Sequence, residues 1–524
     1  PHDMVKGSLR EATGYTNAYT FRNTLQYTGE YAGKHYISLF AGQEIQERTA
    51  YNSFNYSPVF DEEHRIVGFP EMDDIDGSEI NYSALGGTGK SVSKMSSFFA
   101  NASYSYLDKY ILTGALRYDG SDIIGNDNQF TPLWNVGLRW NLHREEFMKR
   151  WMWVDQFAVR GGFGYTGSID KNALPFVVMT LGQSVIYDGQ TVPTSFSYPN
   201  PNVKWQTKQD MNVGLDLSLF DYRLELGVNY YNNITRDVLD RKALPYSSGR
   251  SEVTENVADI YNSGWEIDLG VTLLKNKSFQ WYAKANIAIN DNKVKNTYYK
   301  DTKDLPKATL SNAHQFVENQ PVNGWYGYKF AGINPINGAV MTYTGNGEAT
   351  LDMSVSGATW PIPSVFYLGN LTPPVVGGFS TSANWKQLIF SANFEFKTGH
   401  KIKSFNTFRS LDARNRHTSE ANRWREPGDI TNVPAMSEAF TTYSSYMYDI
   451  LLEKGNYLRC SYMTLGYNLK PEWLHKIGFS TARLSFTAKD LFTVSSYSGI
   501  DPALMGSFGY PNSRKYTITL NVGF

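Results

Sequence analysis

The chain ends with Ser513-Arg-Lys-Tyr-Thr-Ile-Thr-Leu-Asn-Val-Gly-Phe524, a stretch in which large apolar side chains alternate with small or polar ones. A period of two places the apolar set on one face of a β-strand and the polar set on the other. An apolar face with aromatic ends, backed by a small polar face, fits a strand that lies between lipid and a hydrated lumen. The stretch therefore predicts a strand of a transmembrane β-barrel.

The composition agrees with a membrane barrel. The 524 residues include 44 Gly, 36 Tyr, 30 Phe and 12 Trp, and the mean hydropathy is -0.41. No stretch approaches the roughly 18 consecutive apolar residues of a transmembrane helix. In a barrel only alternate residues meet lipid, and Tyr and Trp gather at the interfaces, so many aromatic residues with modest hydropathy are expected. A large soluble β protein also alternates and is the alternative on composition alone.

Several functional classes are disfavoured by composition. The net charge of -1 offers no basic surface for nucleic acid. The single Cys460 excludes a disulfide framework within the chain and a multi-cysteine metal site. The eight histidines are scattered without a His-x-x-x-His pair, and there is no Gly-x-Ser-x-Gly motif. We therefore expect that the chain is not an enzyme.

Alternation recurs along the whole chain and predicts about fifteen strands. They are expected near residues 17–29, 34–48, 92–106, 109–120, 131–142, 153–166, 207–219, 221–234, 260–274, 277–291, 377–385, 387–399, 456–469, 480–491 and 513–524. Short connections are interleaved with long ones, which are residues 49–91, 167–206, 235–259, 292–376, 400–455 and 492–512. Bacterial outer-membrane barrels have short periplasmic turns and long extracellular loops. We predict an all-β fold, a transmembrane antiparallel β-barrel in outer-membrane lipid.

Charged residues recur on the polar side of the predicted strands. They include Asp216, Arg223, Glu225, Glu266 and Asp268. Charges are costly when they face lipid but are stable in a hydrated lumen. We predict that these five side chains face the lumen.

The direction of the last strand sets the orientation of the rest. If that strand descends to the periplasm, counting backwards places residues 1–14 at the extracellular end, as part of a loop. A complete single-chain bacterial barrel has an even number of strands, so an odd count is unexpected. We therefore expect that part of the barrel is missing from this chain.

Short segments between residues 200 and 524 carry a family resemblance. They include Asn-Pro-Asn-Val-Lys-Trp (200–205), Gly377-Gly378-Phe379-Ser380, Pro427-Gly428-Asp429, Tyr497-Ser498-Gly499-Ile500-Asp501-Pro502 and the terminal strand. Together, and in this order, they resemble the SusC/RagA family of TonB-dependent outer-membrane transporters. The resemblance implies a barrel of 22 strands with a plug in its lumen. Residues 15–524 would then supply roughly strands 8 to 22, and the plug domain would be absent from this chain.

The resemblance also implies partners and a function. The partners would be the N-terminal plug-bearing part of the same transporter, a SusD-like surface lipoprotein acting as a lid, and the TonB–ExbB–ExbD energy system, with transporter–lid pairs forming a dimer. Together they would import an oligomeric nutrient, glycan or peptide, across a Gram-negative outer membrane of the Bacteroidota type. The lumen-facing charges would also contact the plug.

Three alternatives to this function stay open. The first is a lidless TonB-dependent receptor for a siderophore or cobalamin. The second is a structural or adhesive outer-membrane barrel that does not transport. The third is a soluble β protein that binds glycans.

Aromatic residues are concentrated in the long connections. Those that we predict to bind substrate are Phe196, Tyr198, Trp325, Tyr326, Tyr328, Trp360, Phe366 and Tyr367. Flat rings near Asn and Asp can stack on sugars or hold peptide side chains. The competing interpretation is that they form the aromatic girdle of a barrel or pack against the lid.

Two further motifs are similar to known ligand-binding sequences, one for Ca²⁺ and one for phosphate. The acidic stretch from Glu71 to Glu79 offers Asp74, Asp76 and Glu79 as Ca²⁺ ligands, although the EF-hand spacing is absent and a solvated loop is the alternative. No other cofactor is expected. The segment Ala84-Leu-Gly-Gly-Thr-Gly-Lys-Ser91 is similar to a phosphate-binding loop, but the chain predicts no helix after it, so a flexible glycine loop is expected.

Overall fold

The computed structural model describes residues 7–61, 66–68, 86–122, 124, 129–168, 179–187, 190–196, 205–243, 247, 252–298, 300–302, 316–350, 365–404, 421–435, 447–474, 478–505 and 509–524. Within these ranges the chain is almost entirely β. The helical turns include Leu142–Arg144, Glu146–Arg150, Asp449–Leu451 and Pro502–Leu504, which are 3-10, and the short α-helix α1 (Pro471–Leu474). No helix in the described ranges is long and apolar enough to cross a membrane.

The strands are numbered in chain order. They are β1 (Gly7–Tyr31), β2 (His35–Asp61), β3 (Ile66–Gly68), β4 (Gly86–Tyr106), β5 (Tyr110–Ser121), β6 (Phe130–Asn141), β7 (Val154–Ser168), β8 (Met179–Tyr187), β9 (Gln190–Phe196), β10 (Gln206–Leu219), β11 (Leu224–Ala243), β12 (Glu252–Lys275), β13 (Phe279–Lys295), β14 (Gly324–Gly327), β15 (Phe330–Ile333), β16 (Val340–Tyr343), β17 (Ala349–Thr350), β18 (Phe366–Asn370), β19 (Val375–Trp385), β20 (Leu388–Thr398), β21 (Lys401–Lys403), β22 (Leu452–Lys454), β23 (Tyr457–Asn468), β24 (Thr481–Ser495) and β25 (Lys515–Gly523).

One sheet of sixteen antiparallel strands dominates the chain. Its path is β1-β2-β4-β5-β6-β7-β10-β11-β12-β13-β19-β20-β23-β24-β25, with β3 paired to β2. The fifteen strands on this path are the fifteen that alternation predicted, which confirms the all-β barrel class. The strands of this path follow one another in chain order, as in an up-and-down barrel, and, apart from β3, the strands skipped between them belong to small separate sheets.

The chain divides into two compact units. The first comprises Pro1–Tyr104, Thr113–Asn135 and Gly167–Trp205, and the second comprises Ser105–Leu112, Val136–Thr166 and Gln206–Phe524. In the first unit, β1 and β2 form a long hairpin with a continuous register from Leu9↔Ser57 to Tyr31↔His35.

This hairpin is longer than the sequence predicted. Residues 7–14, expected to belong to a loop, lie in β1 and pair with β2. Leu9 is the one large apolar residue in this part of β1, so the sequence carries no apolar period there even though the backbone ladder continues. The flexible glycine loop expected at residues 84–91 is also wrong from Gly86 onwards, since β4 begins at Gly86 and includes Ser91.

In the second unit the terminal hairpin of β24 and β25 confirms the two-faced strand. Phe486↔Ile518 and Leu484↔Leu520 pair on one face, whereas Ser485↔Thr519 pairs on the other. Ile518 and Leu520 are 74% and 62% exposed. Contiguous apolar exposure of this kind is unusual in a water-soluble monomer and is expected for a face that meets lipid.

The short connections form tight turns. Between β4 and β5, Leu107 and Asp108 have φ values of 54° and 50°. Positive φ at both central residues belongs to the type I′ turn, whose twist matches that of paired strands. The structure therefore confirms a two-residue turn at this predicted short connection.

The long connections of the second unit contain their own apolar core. We call this group of buried side chains the loop core. Its members are Val317, Trp325, Tyr326, Tyr328, Ile333, Val340, Val365, Leu368, Met447, Tyr448, Leu451 and Leu452. They come from residues 317–368 and from the segment around β22, which lie in the connections 292–376 and 400–455. These connections are therefore folded structure in the ranges described.

Candidate functional site

Four of the five predicted lumen-facing residues share one face of the second unit. Asp216 on β10 lies opposite Gly227 on β11, which in turn lies opposite Asp268 on β12. Glu225 and Glu266 occupy positions of the same parity on β11 and β12, so they project to the same side. We call this side the polar face. Arg223 is the exception, since it precedes β11 in a turn where its N–H donates to the Leu219 carbonyl.

Asp216 lies among cations from two further strands. Its Oδ2 accepts a hydrogen bond of 3.0 Å from Nη1 of Arg139 on β6, and its Oδ1 lies 3.5 Å from Nε of Arg160 on β7. All three side chains are partly exposed. Charge pairs of this kind compensate one another on a surface that faces water rather than lipid.

Asparagine and tyrosine complete the polar face. Nδ2 of Asn229 donates to Oε2 of Glu266 at 3.3 Å, and the Tyr231 hydroxyl donates to Oδ1 of Asn290 at 2.9 Å. Gly264 makes the second contact possible, because a Cβ there would lie 2.5 Å from the Tyr231 hydroxyl. The polar face thus carries neutral amides and hydroxyls beside its acidic groups.

Three aromatic residues predicted to bind substrate are buried instead. Trp325, Tyr326 and Tyr328 are 9%, 3% and 2% exposed and belong to the loop core. The indole N–H of Trp325 donates to the Lys401 carbonyl at 2.8 Å, and the Tyr328 ring packs against Tyr448 at 6.0 Å between centroids. The structure contradicts ligand stacking by these rings. A long connection needs an apolar core of its own, and sequence alone cannot distinguish core rings from ligand-binding rings.

Phe366 and Tyr367 are only half-buried. The Lys329 ammonium lies 4.5 Å from the centroid of the Phe366 ring, a cation–π geometry. The Tyr367 hydroxyl donates to Oδ1 of Asn370 at 2.5 Å, and burial raises the pKa of Tyr367 to about 12. Tyr367 is therefore a neutral hydrogen-bonding group at ordinary pH, and it lines the cavity described below.

The remaining predicted site residues cannot be placed. Tyr198, Trp360, Asp74, Asp76 and Glu79 lie outside the described residues, as does the side chain of Phe196. Among the described residues, no group of three or more His, Cys, Asp or Glu side chains is arranged to hold a metal ion. The calcium hypothesis therefore stays a prediction.

A cavity of about 500 Å³ lies where the polar face meets the long connections. Its walls come from the middle of β12, from the end of β13, from residues 319–323, and from the segment around β18 that leads into β19. Six of its fifteen lining residues are asparagines: Asn262, Asn290, Asn292, Asn319, Asn323 and Asn370. The sequence analysis did not single them out, although Asn262, Asn290 and Asn292 are polar-face positions next to a long connection.

The last long connection is fixed by a buried ion pair. Nη2 of Arg459 on β23 donates to Oδ1 of Asp501 at 2.5 Å, and both side chains are less than a tenth exposed. Arg459 Nε also donates to Oγ1 of Thr493 at 3.1 Å, and the Tyr497 hydroxyl donates to the Lys403 carbonyl at 3.1 Å. These contacts join the connection to β23 and to β21.

Comparison with known proteins gives a consistent result. The family described as TonB dependent receptor-like, beta-barrel matches residues 3–396. TonB-dependent receptor P3 of Formosa agariphila is 29% identical over 465 residues, covering 82% of this chain and 45% of the relative. TonB-dependent receptor SusC of Bacteroides thetaiotaomicron is 23% identical over 453 residues, covering 82% and 43%.

Solved structures agree with these relatives. The RagAB peptide importer in its open-open state aligns with a TM-score of 0.78 and 25% identity, covering 99% of this chain and 56% of that one. The chain thus spans about half the length of the curated relatives that it matches.

Proposed function

The chain belongs to the TonB-dependent receptor-like β-barrel family, and from that premise we propose that it is the C-terminal barrel portion of a SusC-like importer. The importer carries an oligomeric nutrient, glycan or peptide, across the outer membrane of a Gram-negative bacterium of the Bacteroidota type. The cargo crosses without chemical change, in keeping with a family of receptors and transporters rather than enzymes.

The two-faced sheet is the observation that carries this proposal. Apolar side chains such as Ile518 are exposed on one face, whereas Asp216, Glu225, Glu266 and Asp268 share the polar face of the second unit. Such a sheet separates lipid from a hydrated path. The acidic and amide groups of the polar face hydrate that path and contact the plug.

The proposed importer has several further parts. The plug-bearing N-terminal part of the same transporter closes the lumen, and the TonB–ExbB–ExbD system remodels it with energy from the inner-membrane proton gradient. A SusD-like surface lipoprotein covers the outer side, and two transporter–lid pairs form a dimer. Support for these partners comes from the likeness to SusC and to the RagAB peptide importer.

The first test is to purify the tagged protein in detergent from its own outer membrane and identify its companions by denaturing mass spectrometry. We expect the remaining strands and the plug, on the same polypeptide or on a companion, together with a lipoprotein. Plug-bearing strands without a lipoprotein would favour a lidless siderophore or cobalamin receptor. A chain that runs alone at 59.3 kDa, without any plug-bearing polypeptide, would contradict the importer and favour a structural barrel.

The second test examines the polar face in living cells. The double substitution Glu266→Ala/Asp268→Ala should lower nutrient uptake severalfold or loosen the plug, since it removes two charges from the proposed path. Uptake should also stop when a protonophore collapses the proton gradient. Unaltered uptake together with unaltered plug retention would count against a lumenal role for these carboxylates.

A further inference from the structure

Two segments of one long connection meet beyond the ends of β20 and β23. They are residues 399–404, which include β21, and residues 452–456, which include β22, and we call them together the junction. The two short strands pair with each other. The Gly455 N–H closes the base of the junction by donating to the His400 carbonyl at 3.0 Å. The junction is therefore the place where this connection leaves the main sheet and returns to it.

Two other long connections attach to the junction. The indole N–H of Trp325 donates to the Lys401 carbonyl at 2.8 Å, which joins the loop core to β21. The Ser498 N–H of the last long connection donates to Oε2 of Glu453 on β22 at 2.8 Å. A rearrangement of the junction would therefore reach three long connections at once.

His400 is enclosed within the junction. It is 3% exposed, and its ring lies against Gly455, where an added Cβ would be 2.7 Å from Cδ2 of the imidazole. Within the part of the chain that the structure describes, Nδ1 of His400 has no hydrogen-bond partner. The ring is thus packed tightly in a space that gives this nitrogen neither water nor an acceptor for a proton.

The surroundings of His400 offer little to balance a positive charge. The titratable side chains of the adjoining strands are Lys397 on β20, Lys401 and Lys403 on β21, Glu453 and Lys454 on β22, and Tyr457 on β23. Glu453 is the one carboxylate of the junction, and its Oε1 already accepts hydrogen bonds from the Ser404 hydroxyl at 2.5 Å and the Ser498 hydroxyl at 2.6 Å. The Lys397 ammonium repels a second cation.

His400 is therefore neutral at neutral pH. Burial, and after it the Lys397 ammonium, lower the pKa of His400 from its usual value of 6.5. Because the folded pKa lies below the unfolded one, the neutral ring contributes its full stability above about pH 6.5. That contribution is lost as the pH falls below 6.5 towards the lowered pKa, and each pH unit in this window favours the open junction about tenfold.

We propose that the junction is an acid-sensitive latch, which opens when His400 takes up a proton and leaves its enclosure for water. The closed latch holds β21 against β22 and keeps the loop core and the last long connection attached. Long connections of outer-membrane barrels lie on the extracellular side, so the latch responds to the pH of the medium. This inference goes beyond the importer function and does not depend on it.

The test is hydrogen exchange of the complete transporter in detergent, measured by mass spectrometry between pH 5 and 8 and corrected for the intrinsic effect of pH. Below pH 6.5 the protection of residues 400–404 and 452–456 should fall about tenfold per pH unit, while β24 and β25 stay protected. Exchange of the C2 hydrogen of the His400 ring, followed in the same samples, should give a pKa below 6.5.

Two variants examine the cause of the opening. His400→Phe keeps a ring but cannot take up a proton, so the protection of the junction should no longer depend on pH. Lys397→Met removes the repelling charge, which raises the pKa of His400 towards 6.5 and should make the acid-induced loss smaller. The matched control is His35→Phe, because His35 begins β2 in the first unit, and it should leave the pH profile of the junction unchanged.

Three results would overturn the latch. They are protection of the junction that does not depend on pH in the wild type, a His400 pKa at or above 6.5, and an acid-induced loss that persists in His400→Phe. If His400→Phe does not fold, the wild type and Lys397→Met decide the question by the same measurements. Because none of them involves nutrient uptake, loss of the importer function would leave the latch standing, and the reverse also holds.

Discussion

The main sheet and the loop core, both represented in the second unit, treat apolar side chains in opposite ways. On β25, Ile518 and Leu520 are 74% and 62% exposed. In the loop core, Met447 and Tyr448 are 1% and 0% exposed. The difference reflects two environments. Apolar side chains of the sheet are stable when they face lipid, whereas apolar side chains of the connections are surrounded by water and therefore pack into a core.

The two regions also differ in what holds them together. The strands of the sheet are joined by long backbone ladders, as the one from Thr481↔Gly523 to Lys489↔Lys515 illustrates. The strands that contribute to the loop core are short. For example, β14 and β18 pair at four positions, and the register shifts between Trp325 and Tyr326. Side-chain packing must therefore contribute a larger share of its stability.

The largest expected loss of stability comes from Tyr448→Ala, which leaves a cavity in the loop core. Removing a fully buried aromatic side chain costs about 3–5 kcal/mol of local stability. Hydrogen exchange measured by mass spectrometry should rise strongly in residues 447–454, while the heat-resistant mobility of the barrel on gels stays the same. The matched control is Tyr510→Ala, because Tyr510 is 89% exposed. Loss of the whole barrel would show that the two regions are not independent.

The next largest effect concerns the lipid-facing side of the sheet. Ile518→Arg should destabilise the membrane-inserted protein by about 2–4 kcal/mol, because a charge would face hydrocarbon. Thr519→Arg, one residue further and on the other face, should cost much less. Urea unfolding from lipid vesicles measures both. Equal costs for the two substitutions would remove the distinction between the faces on which the comparison depends.

The smallest effect is expected at a short connection, where Glu145 follows β6. This carboxylate accepts hydrogen bonds from the Tyr110 hydroxyl at 2.6 Å, the Lys109 ammonium at 3.0 Å and the Trp140 indole at 3.2 Å. These donors, the Tyr110 hydroxyl first, lower the pKa of Glu145 from 4.5 to about 2. Its stabilising contribution is therefore complete above about pH 4.5 and is lost as the pH falls towards 2.

Glu145→Gln should remove this pH dependence. The denaturant midpoint of the variant should lie below that of the wild type at pH 7, and the two should converge near pH 2 to 3. Glu146→Gln is the control, because Glu146 is mostly exposed and pairs only with Lys149 among the described ion pairs. A constant difference between wild type and Glu145→Gln at every pH would contradict the assignment.

Sequence predicted the strands of the sheet more reliably than the role of the aromatic residues. The alternation from Tyr516 to Phe524 is a local signal, because every second residue meets the same surroundings. Trp325 and Tyr328 gave no such signal, since the partners that bury them, such as Lys401 and Tyr448, lie more than 70 residues further along the chain. The asparagine cavity is missed for the same reason, as it joins β12, β13 and β18.

The amino-acid sequence by itself determined the period of each strand, the polarity of its two faces and the alternation of short with long connections. A pleated strand translates those features directly into structure. Only the tertiary structure decided where β1 and β4 begin, which aromatic rings are buried, and which asparagines meet around the cavity. Those outcomes depend on contacts between residues far apart in the chain, whose energies no local pattern encodes.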